Sequence, residues 1–116
     1  MGNYLDLKVW QKSKELAARI YRLTNNGAFK KDFRFRDQIR AAAISVPSNI
    51  AEGDELGTNK QSIRHFYIAK GSVAEVVTQL MIAEDICYVD SDLIAPIKED
   101  YQHISHMLAK LIKARS

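Results

Sequence analysis

Apolar residues recur at three- and four-residue steps along nearly the whole chain, which is the spacing of amphipathic helices. Short polar or glycine-containing breaks separate four such stretches, near positions 25–31, 56–57 and 88–90. β-Branched residues never alternate with polar ones over a sustained stretch, so no strand is expected. The pattern predicts an all-α fold, an antiparallel up-down-up-down four-helix bundle, in a single domain that spans residues 1–116.

The second helix has the clearest inner seam, made of Ile39, Ala43, Val46 and Ile50. Pro47 falls inside the same pattern, and the apolar period continues in phase through it. A continuous but Pro-kinked second helix is therefore predicted. We expect it to begin near Asp32 and to end near Glu52-Gly53, because glycine suits the left-handed position that follows many helices.

The third helix is apolar on two sides. It should begin at Thr58, which has capping-box spacing with Gln61, and run to about position 88. One seam consists of Phe66, Val73, Val76, Leu80 and Cys87, and the other of Ile63, Tyr67, Ala74, Val77 and Met81. Because a helix with two apolar sides is buried by more than one neighbour, we expect the second neighbour to be another subunit.

Two stripes of polar side chains run beside these seams. The stripe on the second helix is Gln38, Ser45, Asn49 and Glu52, and the stripe on the third is Ser72, Glu75 and Gln79. We expect the two stripes to meet in a structural hydrogen-bonded layer, inside the bundle or at a subunit boundary. A solvated surface and a catalytic row are the alternatives, and the structural or solvated interpretation is favoured over the catalytic one.

The sequence predicts no catalytic residue, no metal site and no cofactor. It lacks the Glu-x-x-His motifs of di-iron bundles, and no carboxylate helix is clearly placed to meet His103 and His106. Cys87 lies in an apolar helical pattern and is expected to be a buried, inert thiol. Gly71 lies in mid-helix without the spacing of a phosphate-binding loop, so close approach of another helix is expected there.

Composition sets limits on location and partners. The chain has 17 basic and 14 acidic residues and a net charge of +3, an excess too small to indicate a nucleic-acid partner by itself. One cysteine permits no internal disulfide, which is typical of a reducing compartment. With no signal peptide and no apolar run long enough to cross a bilayer, a cytoplasmic protein without a membrane partner is expected.

The basic residues are nevertheless concentrated in one part of the chain. This basic strip follows the first helix and continues into the second: Lys8, Lys12, Arg19, Arg22, Lys30, Lys31, Arg34, Arg36 and Arg40. Phe29, Phe33 and Phe35 interleave with it, and exposed aromatics beside arginine can stack on single-stranded bases. The alternative is a solvated face whose phenylalanines close one end of the bundle.

The run QIRAAAISVPSNIAEG, residues 38–53, resembles the signature of the 23S rRNA intervening-sequence protein family, a group of small four-helix bundles. The segments YLDLKVWQKSKELAARIYRLT and FYIAKGSVAEVVTQLMIAEDICYV resemble the family's first and third helices. After Gly53 the family usually carries an aromatic and a basic residue. Here Asp54-Glu55-Leu56 follows, which removes positive charge from an expected loop.

The resemblance implies a ring-shaped homopentamer with no known catalytic activity and an association with RNA or nucleoprotein. It extends to the basic pentameric accessory proteins of diversity-generating retroelements, which bind a reverse transcriptase and nucleic acid. The leading hypothesis is a non-enzymatic oligomeric adaptor for RNA or a ribonucleoprotein, whose partners are its own copies and RNA or a nucleic-acid-binding protein. The alternatives are a protein-only scaffold ring that organises a partner protein and, third, an enzyme that uses the Ser45-Asn49-Glu52 row.

Overall fold

The chain folds into four α-helices, described for residues 3–116 by a computed structural model. They are α1 (Lys8–Leu23), α2 (Phe33–Glu55), α3 (Asn59–Asp85) and α4 (Ser91–Arg115). Two short 3-10 helices, Tyr4–Asp6 and Gly27–Lys30, precede α1 and α2. Residues 3–116 contain no strand, which confirms the all-α prediction.

Each helix packs against two others, so the four close into a bundle. α2 contacts α1 and α3, and α4 contacts α3 and α1. Ser62, near the start of α3, donates a hydrogen bond to the carbonyl of Gly53, near the end of α2. Tyr88, just after α3, donates to Asp32, just before α2. These contacts join opposite ends of α2 and α3. The four-helix bundle is therefore confirmed.

The core lies on the seams that the periodicity indicates. Ile39, Ala43, Val46 and Ile50 of α2 are all completely buried. The largest side chains packed with them include Tyr101 of α4, Phe66 of α3 and Ile20 of α1. Burial of these residues supplies the main favourable term in folding, since apolar surface removed from water contributes about 25 cal/mol per Å².

Helix α2 differs from the prediction at its C-terminal end. It runs through Pro47 as one element, and the kink at that residue stays a prediction. It does not end at Gly53 but continues to Glu55, so the predicted end is wrong. A Cβ at Gly53 would lie 2.8 Å from Cε1 of Phe66. The glycine at this position therefore allows α3 to approach α2 closely.

Helix α3 ends three residues earlier than predicted, at Asp85. Cys87 follows it in the left-handed conformation, with φ of +62°. The amide of Cys87 donates to the carbonyl of Glu84 at 3.0 Å, and that of Tyr88 donates to Ala83 at 2.8 Å. This is the Schellman arrangement, in which glycine is the usual left-handed residue. Cys87 is exposed, so the prediction of a buried thiol is wrong.

Side chains cap the two central helices. Thr58 accepts a hydrogen bond from the amide of Gln61 at the start of α3, which confirms the predicted cap. Asp32 accepts from the amide of Phe35 at the start of α2. Across the described range, no helix combines the length and the apolar character needed to cross a membrane.

Candidate nucleic-acid interface and polar layer

A hydrogen-bonded group lies between α2 and α3. Ser72 Oγ donates to Ser45 Oγ at 2.8 Å, which joins the polar stripes of the two helices directly. Asn49 Nδ2 donates to the Ser45 carbonyl at 2.9 Å and to its hydroxyl at 3.0 Å. Both serine hydroxyls are therefore engaged with neighbouring side chains, as in a structural layer.

His65 of α3 extends this group, although the sequence reasoning did not select it. Its Nδ1 lies 3.0 Å from Asn49 Oδ1 and 3.4 Å from Glu52 Oε2. Because the Asn49 amide nitrogen points to Ser45, its oxygen faces the ring, and both neighbours of Nδ1 are acceptors. That nitrogen therefore carries the hydrogen. Helical spacing would have indicated His65, since it lies two turns before Ser72 and so shares the polar stripe of α3.

The remaining members of the two stripes lie outside this group. Gln38 and Glu75 are exposed. Gln79 is buried, and within residues 3–116 its Oε1 has no hydrogen-bond partner. The layer is thus shorter than the seven predicted positions. In the same range, no three His, Cys, Asp or Glu side chains are grouped so that they could hold a metal ion.

The α1 part of the basic strip faces acidic residues of α4. Arg19 Nη1 lies 3.3 Å from Asp100 Oδ2 across the groove between the two helices. The groove has a volume of about 720 Å³ and is lined by Lys12, Glu15, Leu16, Arg19, Arg22, Glu99, Asp100 and His103. Carboxylates beside these cations reduce their attraction for phosphate. Lys8 is exposed at the start of α1, outside this groove.

Arg40 is used to join two helices. Its Nε donates to Thr24 Oγ1 at 2.8 Å, and its Nη2 donates to the Tyr21 carbonyl at 3.2 Å. Its guanidinium also lies 4.5 Å from the centre of the Tyr21 ring. These contacts hold the end of α1 against α2, so Arg40 is mainly a structural residue.

The basic residues at the start of α2 are more accessible. Lys30, Lys31 and Arg34 are exposed, and none of them forms an ion pair within the described chain. Arg36 lies 3.3 Å from Asp37 and is stacked on Phe33, with 4.8 Å between its Cζ and the ring centre. We call the group formed by Lys30, Lys31, Phe33, Arg34 and Arg36 the basic end of the bundle.

The sequence allowed two roles for Phe29, Phe33 and Phe35, stacking on bases or closing one end of the bundle, and the structure shows both environments. Phe29 is completely buried, with its ring centre 5.3 Å from that of Tyr88 and 5.5 Å from that of Phe35. These rings close one end of the bundle. Phe33 is 62% exposed, more than any other large hydrophobic residue among positions 3–116. Only Phe33 of the three presents most of its ring to solvent.

A hydrogen bond between Asp32 and Tyr88 fastens this end. The Tyr88 hydroxyl donates to Asp32 Oδ2 at 2.7 Å. This bond, with the Phe35 amide, lowers the pKa of Asp32 below its usual value. The same carboxylate raises the pKa of Tyr88. Burial raises the pKa of Tyr101 in the core well above that of an exposed tyrosine.

The opposite end holds a buried ion pair that corrects an expectation from the sequence. The segment after Gly53 was expected to be a loop, but Asp54 lies within α2 and is 3% exposed. Arg115 Nη2 lies 2.6 Å from Asp54 Oδ1, and its guanidinium is 5.2 Å from the centre of the Phe66 ring. The last turn of α4 is thereby attached to the end of α2.

The sequence model for 23S rRNA-intervening sequence proteins matches residues 5–110, nearly the full length of the chain. The chain belongs to this family. A protein of unknown function from the S23 ribosomal protein family of Bacteroides thetaiotaomicron VPI-5482 has a similar crystal structure. The TM-score is 0.83 at 27% sequence identity, over 90% of this chain and 98% of that one. No curated protein matches the chain.

The signature-like run at 38–53 lies wholly within α2. Its residues serve three purposes: the core seam (Ile39, Ala43, Val46, Ile50), the close contact with α3 (Gly53) and the polar layer (Ser45, Asn49, Glu52). These residues of the run are therefore explained by the packing of α2 within the bundle. The basic end lies wholly outside this run, before α2 and in its first turn.

Proposed function

We propose that this protein is a non-enzymatic, oligomeric adaptor that binds RNA or a ribonucleoprotein. The observation that carries the proposal is an uncovered apolar face on α3. The bundle leaves five large side chains exposed on this helix and at its C-cap: Tyr67, Ile68, Met81, Ile82 and Ile86. We call these residues the α3 outer face. Exposed large apolar side chains along one helix are typical of association sites.

Gly71 gives a second reason to place another copy of the chain there. It lies in the middle of α3, where a glycine costs about 1 kcal/mol relative to alanine. A Cβ at Gly71 would meet nothing within 4 Å, so no helix of the same chain approaches it. Approach of a helix from a second copy would offset that cost. The resemblance described above implies that five copies form a ring.

The RNA part of the proposal is supported by the basic end. Lys30, Lys31 and Arg34 are exposed cations at one end of every protomer. In a ring they would be repeated, and repetition converts weak phosphate contacts into avidity. The family's description refers to an intervening sequence of 23S rRNA, which favours RNA over DNA as the nucleic acid.

The polar layer supports a role without catalysis. Ser45 is hydrogen-bonded to both Asn49 and Ser72. His65, the histidine of the layer, contacts Asn49 and Glu52 instead of a serine. Within the described chain, the hydroxyls of Ser45 and Ser72 therefore have no hydrogen-bonded base. A serine nucleophile requires such a base within hydrogen-bonding distance.

Oligomer size in solution tests the first part, by sedimentation or light scattering at micromolar concentration. Met81→Glu places a charge on the α3 outer face and should dissociate the oligomer. Leu93→Glu is the matched control, because Leu93 of α4 is equally exposed at 49%. A monomeric wild-type protein, or equal effects of the two variants, would contradict the proposed interface.

RNA binding tests the second part, by fluorescence anisotropy over a range of salt concentrations. Changing Arg19, Arg22, Arg34 and Arg36 together to glutamine should weaken binding strongly, with helical content and oligomer size retained. A control in which Lys60, Arg64, Lys110 and Lys113 become glutamine removes the same charge outside the basic strip. Binding driven by phosphate contacts falls steeply with salt.

The alternative is a protein-only scaffold. The acidic residues Glu99 and Asp100, opposite Arg19 in the α1–α4 groove, favour it because they reduce the attraction of the groove for phosphate. If neither wild type nor control binds RNA at low salt, the scaffold is the better explanation. Equal RNA affinity of the two quadruple variants would also reject the basic strip as the binding surface.

A further inference from the structure

Phe33 is the most distinctive side chain of the basic end. It is the first residue of α2, and its side chain is 62% exposed while Phe29 and Phe35 pack against Tyr88. The Arg36 guanidinium lies 4.8 Å from the centre of the Phe33 ring. A cation over one face of an aromatic ring holds its orientation. Since Phe33 is 62% exposed, most of its side chain is accessible to a second planar group.

The charges around this ring are predominantly positive. Lys31 and Arg34 line a hollow of about 670 Å³ beside Phe33, together with Ala28, Asp32 and Tyr88. The Asp32 carboxylate keeps its negative charge, but its oxygens are directed to the Phe35 amide at 3.2 Å and to the Tyr88 hydroxyl at 2.7 Å. An aromatic ring between free cations matches a base and the phosphates on either side of it.

The rest of the basic strip lacks this combination. Arg19 is paired with Asp100, and Arg40 is held by Thr24 and Tyr21. Lys12 and Arg22 share their groove with Glu15, Glu99 and Asp100. Phosphate contacts along α1 would therefore be weak, whereas the basic end offers both stacking and charge.

We propose that Phe33 stacks on an unpaired base of single-stranded RNA, with Lys31 and Arg34 on the adjoining phosphates. This inference rests on the proposed RNA function and narrows it to unpaired strands at one end of the bundle. In a duplex the bases are stacked on each other and paired, so the ring cannot reach a base face. Only the phosphate contacts would remain for double-stranded RNA.

Phe33→Leu tests the stacking, and Phe33→Tyr is its matched control. Leucine keeps an apolar side chain without an aromatic face, whereas tyrosine keeps the face. Binding is measured at low salt with an oligouridine strand and with an RNA duplex of the same length. Phe33→Leu should lower affinity for the single strand by about tenfold, in line with stacking on aromatic side chains. Phe33→Tyr should bind like wild type, and all three proteins should bind the duplex equally.

Two further outcomes separate this inference from the proposed function. Single-strand binding by Phe33→Leu that equals wild type would overturn the stacking on Phe33 and leave RNA binding in place. Absence of binding to either RNA by the wild-type oligomer would reject the proposed function, and the inference with it. A strand with 2-aminopurine gives an independent signal, because transfer of the base from its neighbours to Phe33 should change its fluorescence in wild type and not in Phe33→Leu.

Discussion

The change Arg115→Gln would leave a buried carboxylate without its partner. Asp54 is 3% exposed, its Oδ1 lies 2.6 Å from Arg115 Nη2, and its Oδ2 has no hydrogen-bond partner among the described residues. Removing one member of a buried pair typically costs about 3–5 kcal/mol. Because the Arg115 side chain is partly exposed, we expect the lower end, a loss of about 3 kcal/mol in the free energy of unfolding.

A matched control uses an ion pair on the surface. Arg19 and Asp100 are 3.3 Å apart, with side chains 41% and 54% exposed. Exposed pairs of this kind contribute less than about 1 kcal/mol, so Arg19→Gln should cost far less than Arg115→Gln. The double change Asp54→Asn with Arg115→Gln should recover more than half of the loss, because no charge is then left buried.

Urea unfolding followed by helical circular dichroism measures these differences. All variants must be compared at one protein concentration, because the proposed association would add to the apparent stability. Equal losses for Arg115→Gln and Arg19→Gln would show that the Asp54 carboxylate is not confined away from water. Failure of Asp54→Asn to rescue Arg115→Gln would instead assign the loss to packing of the arginine on Phe66.

Three further predictions concern the helix ends. Gly53→Ala should destabilise the protein by about 1–3 kcal/mol in urea unfolding, because its Cβ would lie 2.8 Å from Phe66 Cε1. Cys87→Gly should raise the free energy of unfolding by about 1 kcal/mol, since glycine adopts positive φ without strain; a loss would contradict the left-handed cap. Tyr88→Phe removes the largest cause of the lowered pKa of Asp32. A carboxyl group whose pKa is lower in the folded than in the unfolded protein stabilises the fold at pH values above the unfolded pKa, and this stabilisation is lost on acidification. The variant should therefore lose less stability than wild type between about pH 5 and pH 2.

The helices and their inner faces could be predicted because both follow from local spacing. Ile39 and Ile50 lie on one side of α2 whatever the helix packs against, and both are completely buried. The errors at helix ends have a different cause. Gly53 has the residue type of a helix end but is required for contact with Phe66, and Cys87 ends α3 without being glycine.

The polar layer shows the same division. Spacing along each helix aligns Ser45 with Asn49, and it aligns Ser72 with His65. The distance of 2.8 Å between the two serine hydroxyls depends on the offset of α2 against α3. That offset is a property of the packed pair of helices. The sequence could therefore predict that the polar stripes of α2 and α3 meet, but not which of their residues form hydrogen bonds.

By itself, the sequence determined the number of helices, their buried faces and the concentration of basic residues before and within α2. Only the tertiary structure decided which of those charges are available. Arg19 meets Asp100 across 81 positions of sequence, and Arg115 meets Asp54 across 61. Periodicity reports neighbours within a few residues, whereas ion pairs form between side chains that folding brings together. The same packing buries Phe29, in the 3-10 helix before α2, against Phe35 and Tyr88. It leaves Phe33 exposed beside Arg34, because only one side of the first turn of α2 faces inward.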